Sequence, residues 1–457
     1  MGALRSWFAT LADAVCVVPP ALGSGADGEA RVTLYLQAED SDFVRFNRAR
    51  VRQSTRVTQR EATVTVIRGR RRASGRVSLA GRVDDDRARL GVLRDGLAAD
   101  LAMVPEDPHL RLPTAIVDSD RDEPAAADRL PPVATIIDDV LAEAAGLDLV
   151  GFYAAGPMVR AFADSRGQRN WHRVASFHFD WSLYVDGAAE FRDRAVKSHY
   201  AGSRWDRAEL GRRMASARSR AALLGQPARA IAPGAYRTWL EPMAVAELLG
   251  TLGWGGFGEK DRRSGTSTLA ALARGDVAVA PSVTLTEATA AGIAPAFTGD
   301  GDPQPAQVPL IGQGGITGSL ISPRTAAEFG LAANAGADES PSSLALAAGT
   351  IPAADALAAL GDGLWIGNLW YLGYSDRQTC RMTGMTRFAC FVVESGRIAA
   401  PITPMRFDDQ WPRLFGPALL GLADTPEFLP SNDTWDHRHL SSVTTPGALF
   451  ADLRFTL

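Results

Sequence analysis

The chain has 457 residues, of which 46% are hydrophobic and 22% are charged, the balance of a globular rather than a disordered protein. Its net charge of -4 argues against a nucleic-acid-binding protein, and no apolar run approaches the roughly 18 residues of a membrane-spanning helix. Three cysteines, an odd number, argue against a disulfide framework. We therefore expect a cytoplasmic protein of about two or three domains, since a domain averages about 150 residues.

The N-terminal region, residues 1–103, predicts a helix, antiparallel strands and a second helix, in that order. Apolar residues recur at helical spacing from Leu4 to Val15, which indicates an amphipathic helix rather than a targeting signal. Between residues 32 and 79 they alternate instead, as in half-buried strands, and helical spacing returns after residue 84.

Basic residues are distributed unevenly along the chain. One cluster within the predicted strands is explained equally well by a solvated hairpin end and by a phosphate or peptide contact; it comprises Arg68, Arg70, Arg71, Arg72 and Arg76. The chain has only two lysines, Lys197 and Lys260, against 46 arginines. We attribute that bias to a GC-rich genome rather than to a function.

Three further regions follow. Residues 104–132 are rich in proline and acidic residues, which is typical of a connecting segment. Residues 133–230 predict a middle region of helices and strands. Residues 231–457 become rich in glycine and in strand patterns, with a helix at 243–252 and strands such as 277–285. The fold class predicted from this order is α+β.

Residue motifs alone yield no catalytic constellation. A zinc peptidase needs two histidines one turn apart with a glutamate beside them, and the six histidines form no such motif. The only close pair is His437 and His439, which lie in a polar loop. They could bind a metal, or they could simply be exposed histidines. Cys380, in a turn-like segment, is the more plausible exposed thiol, whereas Cys390 has the pattern of a core residue. Phosphate-binding, dinucleotide-binding and serine-hydrolase motifs are absent.

Several segments, in order, resemble the TldD/PmbA (TldD/TldE, modulator-of-gyrase) family. The first two are similar to the family's first and second regions: SDFVRFNRARVRQSTRVTQREATVTVIRGRRRASG (41–75) and SRGQRNWHRVASFHFDWSLYVDG (165–187). The next three resemble its third region: APGAYRTWLEPMAVAELLGTLG (232–253), FTGDGDPQPAQVPLIGQGGITGSLISPRTAAEFG (297–330) and MTGMTRFACFVVESGRIAAPI (382–402). Together they span most of residues 30–457.

The resemblance implies a particular kind of family member. TldD-type members hold a metal through HExxxH and a cysteine near the C-terminus; here the motif positions fall at Gly250, Thr251 and Gly255, and the last cysteine is Cys390. The chain therefore resembles the TldE (PmbA) type, a subunit without metal or other cofactor. Such a subunit pairs with a TldD-like metallopeptidase, expected to carry zinc or iron, and the heterodimer encloses unfolded or leader-type peptides.

No residue of this chain is then expected to be catalytic, and the residues of interest are contacts. Arginines around the segment 382–388 are candidate contacts for a peptide or the partner, with a solvated strand rim as the alternative; they are Arg377, Arg381 and Arg387. Two other functions stay open. One is a self-sufficient homodimeric peptidase or hydrolase that uses His437, His439 or Cys380, and the other is a non-enzymatic peptide-binding protein.

Overall fold

The computed structural model of the protein describes residues 2–23, 29–113, 115–123, 129–185 and 194–456. Helices and strands are mixed throughout these residues, and strands predominate. The predicted α+β class is therefore confirmed. No helix in this part of the chain is both long and apolar enough to cross a membrane.

The elements up to residue 224 form the N-terminal half. In chain order they are α1 (Gly2–Val15), a 3-10 turn (Pro20–Leu22), β1 (Ala30–Asn47), β2 (Arg50–Arg68), β3 (Arg71–Ser78), α2 (Val83–Asp100), a 3-10 turn (Leu101–Met103), β4 (Ser119–Asp122), α3 (Val133–Glu143), β5 (Asp148–Asp164), β6 (Arg169–Tyr184), β7 (Ala195–Gly202) and α4 (Arg207–Leu224). The predicted order of helix, strands and helix in the first hundred residues is confirmed.

The strands of this half form one sheet, called here the N-terminal sheet. Its order is β3-β2-β1-β5-β6-β4, and β7 also pairs with β6. Strands from the predicted first and middle regions therefore share a sheet. Within the predicted connecting segment 104–132, β4 joins that sheet in parallel with β6; residues 114 and 124–128 of the segment lie outside the described residues.

Alternation along β6 separates the two faces of the N-terminal sheet. Phe177, Phe179, Trp181 and Leu183 are buried in one cluster with apolar residues of α3 and α4. Because successive side chains of a strand point to opposite faces, the residues between them face away from these helices. That second face carries His178, Asp180 and Ser182, along with the matching residues of β1, β5 and β7.

The elements from residue 234 form the C-terminal half. In chain order they are β8 (Gly234–Leu240), α5 (Pro242–Leu252), α6 (Glu259–Ser264), α7 (Ala270–Arg274), β9 (Leu285–Glu287), β10 (Val308–Gly312), β11 (Gly315–Ile316), α8 (Pro323–Phe329), β12 (Ser343–Leu346), a 3-10 turn (Ala353–Asp355), α9 (Ala356–Leu360), β13 (Gly363–Asp376), β14 (Arg381–Glu394), β15 (Arg397–Pro401), β16 (Arg406–Gln410), α10 (Trp411–Leu414), β17 (Leu419–Leu422), β18 (Glu427–Pro430), β19 (Ser442–Thr445) and β20 (Ala448–Phe455).

Two sheets organise the C-terminal half. In one, the order β13-β8-β20-β16-β14 closes on itself because β13 also pairs with β14, while β15 and β17 attach to β14 and β20. In the other, the order is β11-β10-β9-β12-β19-β18. A single large cluster of buried apolar side chains joins α5 to both sheets.

The predicted strand at 277–285 is wrong for most of its length, since only Leu285 begins a strand. Pro281 lies in a turn, and the amide of Val283 donates to the carbonyl of Ala280 at 2.9 Å. Upstream, the Val279 amide donates to Gly314 at 3.0 Å. Val279, Val283 and Leu285 are buried, whereas Val277 is exposed, and a turn rather than a strand carries most of the segment.

Candidate functional site

Helix α5 carries the positions at which the resemblance puts the lost metal motif. Its apolar side packs into the C-terminal core through Ala244, Val245, Leu248, Leu249 and Leu252. Proline at its first position suits a helix start, since that residue needs no amide donor. The remaining side is accessible to solvent and carries Glu247 and Gly250, one turn apart. The helix therefore separates a core from an open surface.

The three motif positions have different environments, none of them suited to hold a metal. Gly250 is exposed, and a Cβ atom there would meet nothing within 4 Å. Thr251 is buried, and its hydroxyl donates to the Glu247 carbonyl at 2.9 Å. Gly255 has a φ of 83°, and a Cβ atom would lie 3.0 Å from Nη2 of Arg377. Among the described residues, no three histidine, cysteine, aspartate or glutamate side chains are grouped as metal ligands.

A cleft of about 510 Å³, called here the sheet cleft, lies on the second face of the N-terminal sheet. Its walls come from the ends of β1, β2, β5 and β6, from β7 and from the loop before β19. The polar side chains that line it are Arg45, Asn47, Arg52, Asp180, Ser182, Lys197, Asn432 and Thr434. Concave sites that combine an apolar floor with a few polar groups are where ligands bind.

Electrostatics link this cleft to α5. Burial raises the pKa of Asp180 to about 6, although Lys197 and a hydrogen bond from Asn432 oppose that shift. The surrounding protein also raises the pKa of Glu247 on α5, and Lys197 again opposes the shift. Glu247 itself is exposed on the surface of α5. One ammonium group thus acts on two carboxyl groups with perturbed pKa values, a combination common at functional sites.

Trp370, on β13 of the C-terminal half, lies close to Lys197. The Lys197 ammonium lies 6.0 Å from the ring centroid of Trp370, and the Arg387 guanidinium lies 4.6 Å from the same centroid. Both distances fall within the range of cation–π attraction. Arg387, one of the three candidate contact arginines, therefore lies near Lys197.

The other two candidate arginines lie elsewhere. Arg377 donates to the Trp254 carbonyl at 3.2 Å, and Arg381 donates to Asp408 at 2.7 Å, both at the far end of the β13–β14 hairpin. Arg381 and Arg387 are six residues apart on one strand, or about 20 Å at the usual strand rise of about 3.3 Å per residue. The structure does not bring the three arginines together.

The groups of the self-sufficient alternative are also dispersed. The prediction that Cys380 is an exposed thiol is wrong, because its side chain is packed in the C-terminal core, where burial raises its pKa to about 12. The expected burial of Cys390 is confirmed. His437 and His439 do stack, with ring centroids 4.8 Å apart, but their nearest carboxylates are Asp436 and Asp433 on their own loop.

Arg438, which lies between these two histidines in the sequence, holds the loop against the N-terminal sheet. Its contacts with Ser176 and Gly156 are called here the Arg438 seat. Its Nη2 donates to the carbonyl and the hydroxyl of Ser176, each at 3.0 Å, and its Nη1 donates to the Gly156 carbonyl at 3.1 Å. Burial lowers the pKa of Arg438 to about 10, and the nearby Glu39 opposes that shift. Gly156 has a φ of 141°, and a Cβ atom there would lie 2.1 Å from the Asp40 carbonyl oxygen, so only glycine fits.

Sequence reasoning missed the sheet cleft and its central cation. Lys197 lies about fifty positions before Glu247 along the chain, so no local pattern connects the two. The available signal was composition, because lysine occurs only twice against 46 arginines, and one of the two lines this cleft. The attribution of that bias to the genome left Lys197 without a role.

Comparisons with known proteins agree with the resemblance seen in the sequence. Residues 233–457 match a family model described as the PmbA/TldA metallopeptidase C-terminal domain. TldE from Thermococcus kodakarensis is 12% identical, with a TM-score of 0.78, over 93% of this chain and 97% of that chain. A putative modulator of a DNA gyrase from Thermotoga maritima is 11% identical, with a TM-score of 0.71, over 99% and 100% of the two chains.

A third solved structure, a putative modulator of DNA gyrase from Bacteroides thetaiotaomicron, is 15% identical, with a TM-score of 0.73, over 99% of this chain and 98% of that chain. At these identities the three structures show a shared fold. No curated protein sequence matches the chain.

Proposed function

The chain belongs to the PmbA/TldD family, and from this membership we propose that it is a non-catalytic, TldE-like subunit of a heterodimeric metallopeptidase. A TldD-like partner supplies the zinc or iron, while this chain forms part of the cavity that holds an unfolded or leader-type peptide. The complex is cytoplasmic, in keeping with three cysteines that are all free.

The observation that carries this proposal is the chemistry of the three motif positions. Catalytic zinc takes nitrogen, oxygen or sulfur donors from three protein side chains and keeps one position open. Gly250 and Gly255 have no side-chain donor, and the Thr251 hydroxyl is already bound to a backbone carbonyl inside the helix. These three positions supply neither the donor set nor a general base, so we assign the metal-dependent step to the partner.

The sheet cleft supports the binding part of the proposal. Its lining reaches from the N-terminal sheet to the loop before β19, and Lys197 connects it electrostatically to α5. An extended peptide is recognised largely through its backbone when it lies along a sheet, which tolerates many sequences. A subunit that contributes such a surface needs no catalytic group of its own.

The first experiment measures metal per chain after purification of this protein alone and dialysis without chelator. We expect near-zero zinc and iron, and no cleavage of an unstructured test peptide. Co-purification with a TldD-like partner should restore cleavage, and a partner whose motif glutamate is replaced by glutamine provides the control. About one equivalent of metal per isolated chain, with metal-dependent cleavage, would overturn the proposal.

A gain-of-function variant tests the same point from the other side. We expect that Gly250→His, Thr251→Glu and Gly255→His in one chain produce no peptidase, because the cysteine ligand and the groups that orient the histidines are still missing. Metal-dependent cleavage by this triple variant would contradict the interpretation of α5.

A further inference from the structure

The cations at one end of the sheet cleft form no ion pair with a carboxylate within the described ranges. Arg56, further along β2, behaves differently, because it pairs with Asp40 at 2.7 Å. Five cations, called here the cleft cations, form no ion pair or side-chain hydrogen bond to a residue within the described ranges: Arg45, Arg52 and Lys197, which line the cleft, and Arg48 and Arg50, which lie in the same hairpin as Arg45 and Arg52. The charges of the four arginines are therefore available to a ligand, while Lys197 also acts at longer range on Asp180 and Glu247.

Four of these cations occupy the hairpin between β1 and β2, whose turn is an unusual place for arginine. Arg48 and Ala49 have φ values of 50° and 49°. Two-residue hairpin turns of this type favour asparagine and glycine, because other residues lose roughly 1–2 kcal/mol in the left-handed region. Local strain kept at a surface turn is often associated with function. The Ala49 amide donates to the Leu149 carbonyl at 3.1 Å, which fixes the turn against β5.

Aromatic contacts orient the cations towards the cleft. The Arg45 guanidinium lies 5.7 Å from the ring centroid of Phe152, which also stacks with Phe43 at 6.0 Å. A guanidinium held by an aromatic face keeps its donors free for an anion, unlike one that is paired with a carboxylate. Lys197 has a similar relation to Trp370.

The charges of the cleft do not cancel. Three cations that line the cleft, Arg45, Arg52 and Lys197, outnumber Asp180, the carboxyl group in its lining, and burial favours the protonated form of that group. The whole chain, in contrast, has a net charge of -4. A local cationic site on an anionic protein concentrates anionic ligands and repels cationic ones.

We propose that the sheet cleft and its cleft cations select peptide segments rich in glutamate and aspartate. The inference rests on the proposed function only in taking the ligand to be a peptide. Carboxylate side chains of an extended segment would accept hydrogen bonds from Arg45, Arg52 and Lys197, and its aliphatic portions would pack on Phe152. The acidic character of a peptide, rather than one particular sequence, determines its affinity.

The cleft fits a peptide better than a nucleic acid. Nucleic-acid surfaces track a backbone with many cations, and their strands carry a phosphate at every step. Here Asp180 lies within the site, and its ionised form at neutral pH would oppose a continuous run of phosphates. The separate side-chain carboxylates of a peptide can be placed away from Asp180.

Fluorescence anisotropy of the full chain tests the proposal directly. The probes are a labelled unstructured glutamate-rich peptide, its glutamine and lysine counterparts of equal length, and a single-stranded oligonucleotide. We expect the glutamate peptide to bind at least about tenfold more tightly than the others, with an affinity that falls as salt is added. Equal affinities for the three peptides, or tighter binding of the oligonucleotide, would overturn it.

Matched variants locate the site. Lys197→Gln and Arg52→Gln are each expected to weaken glutamate-peptide binding by roughly five- to tenfold. Lys260→Gln, which removes the other lysine from α6, and Arg397→Gln on β15 should leave binding unchanged. Equal losses in the controls, or none in the cleft variants, would contradict the assignment, and thermal melts verify that each variant is folded.

The binding assay separates this inference from the proposed function. The chain could bind acidic peptides and yet never support cleavage with a TldD-like partner. That result would support the assignment of the cleft and contradict the proposed function. Conversely, cleavage could depend on the partner but not on peptide charge or on Lys197→Gln. That result would support the proposed function and contradict the assignment of the cleft.

Discussion

The Arg438 seat and the sheet cleft lie on the same face of the same three strands, yet they use cations in opposite ways. In the seat, Arg438 is buried and donates to oxygens of Ser176 and Gly156. In the cleft, Arg45 further along β1 and Lys197 on the neighbouring β7 have no hydrogen-bonded partner within the described ranges. One loop, residues 431–441, contributes Arg438 to the first and Asn432 to the second.

This difference shows how burial decides what a cation does. A buried guanidinium must have its donors satisfied, so it stabilises one arrangement of loop and sheet. An unpaired cation in contact with water has only a small free-energy cost, and its hydrogen-bond donors stay available to a ligand. The seat therefore positions the loop, and the loop completes the wall of the cleft.

The largest expected effect comes from breaking the seat. Arg438→Ala leaves the buried oxygens of Ser176 and Gly156 without their donor and removes the positive charge near Glu39, and we expect it to lower the free energy of unfolding by about 3–5 kcal/mol. Trp435→Ala, on the same loop but with a side chain 84% exposed, should change it by less than about 0.5 kcal/mol. Urea unfolding of both variants measures the difference; similar small losses would contradict the structural role of Arg438.

The exposed side of α5 should accept a new side chain where the glycine turn that follows the helix would not. Gly255→His forces a side chain into the left-handed region beside Arg377, and we expect a loss of about 1–2 kcal/mol. Gly250→His enters open space on α5 and should cost nothing, since histidine also suits a helix better than glycine by a few tenths of a kcal/mol. Thermal unfolding of the two single variants measures the difference in stability. An equal loss of stability in both would show that the Gly250 side of α5 is not open to a new side chain.

Asp180 tests the electrostatics of the cleft. Its folded pKa is raised from 3.8 to about 6, so the folded state binds the proton more tightly and stability is lost as pH rises between these values. Asp180→Asn mimics the protonated form, and we expect a gain of about 1–2 kcal/mol at neutral pH after allowance for solvent screening. The gain should vanish below about pH 4. Unfolding curves across this range measure it, and a loss at neutral pH would mean that Lys197 dominates.

The smallest expected effect on stability is that of the cleft cations themselves. Arg52→Gln removes no ion pair and should change the free energy of unfolding by less than about 0.5 kcal/mol, while peptide binding weakens. Arg56→Gln, on the same strand, breaks the pair with Asp40 and should leave binding intact. The comparison between seat and cleft would fail if Arg52→Gln destabilised the chain as Arg438→Ala does.

Much of the local structure could be predicted from the sequence. The helices at both ends of the first hundred residues and α5 follow apolar periodicity, which reports directly on which side of an element is buried. The strand at 277–285 failed because apolar alternation also occurs in a buried turn, and Pro281 was a sign that the pattern does not continue as a strand. Cys380 was misjudged because a turn-like sequence does not reveal that its turn packs into the core.

The sequence by itself determined the α+β class, the core side of α5 and the absence of ligand side chains at Gly250 and Gly255, because each depends on residue type and spacing within one segment. Only the tertiary structure decided that Lys197 lies near Glu247, that Lys197 and Arg387 both lie beside Trp370, and that Arg438 is a buried anchor. Those relations depend on strand pairing and loop seating between distant segments. Contacts between distant segments produce no periodic pattern in the sequence. The site could therefore be recognised only once the pairing of the strands was known.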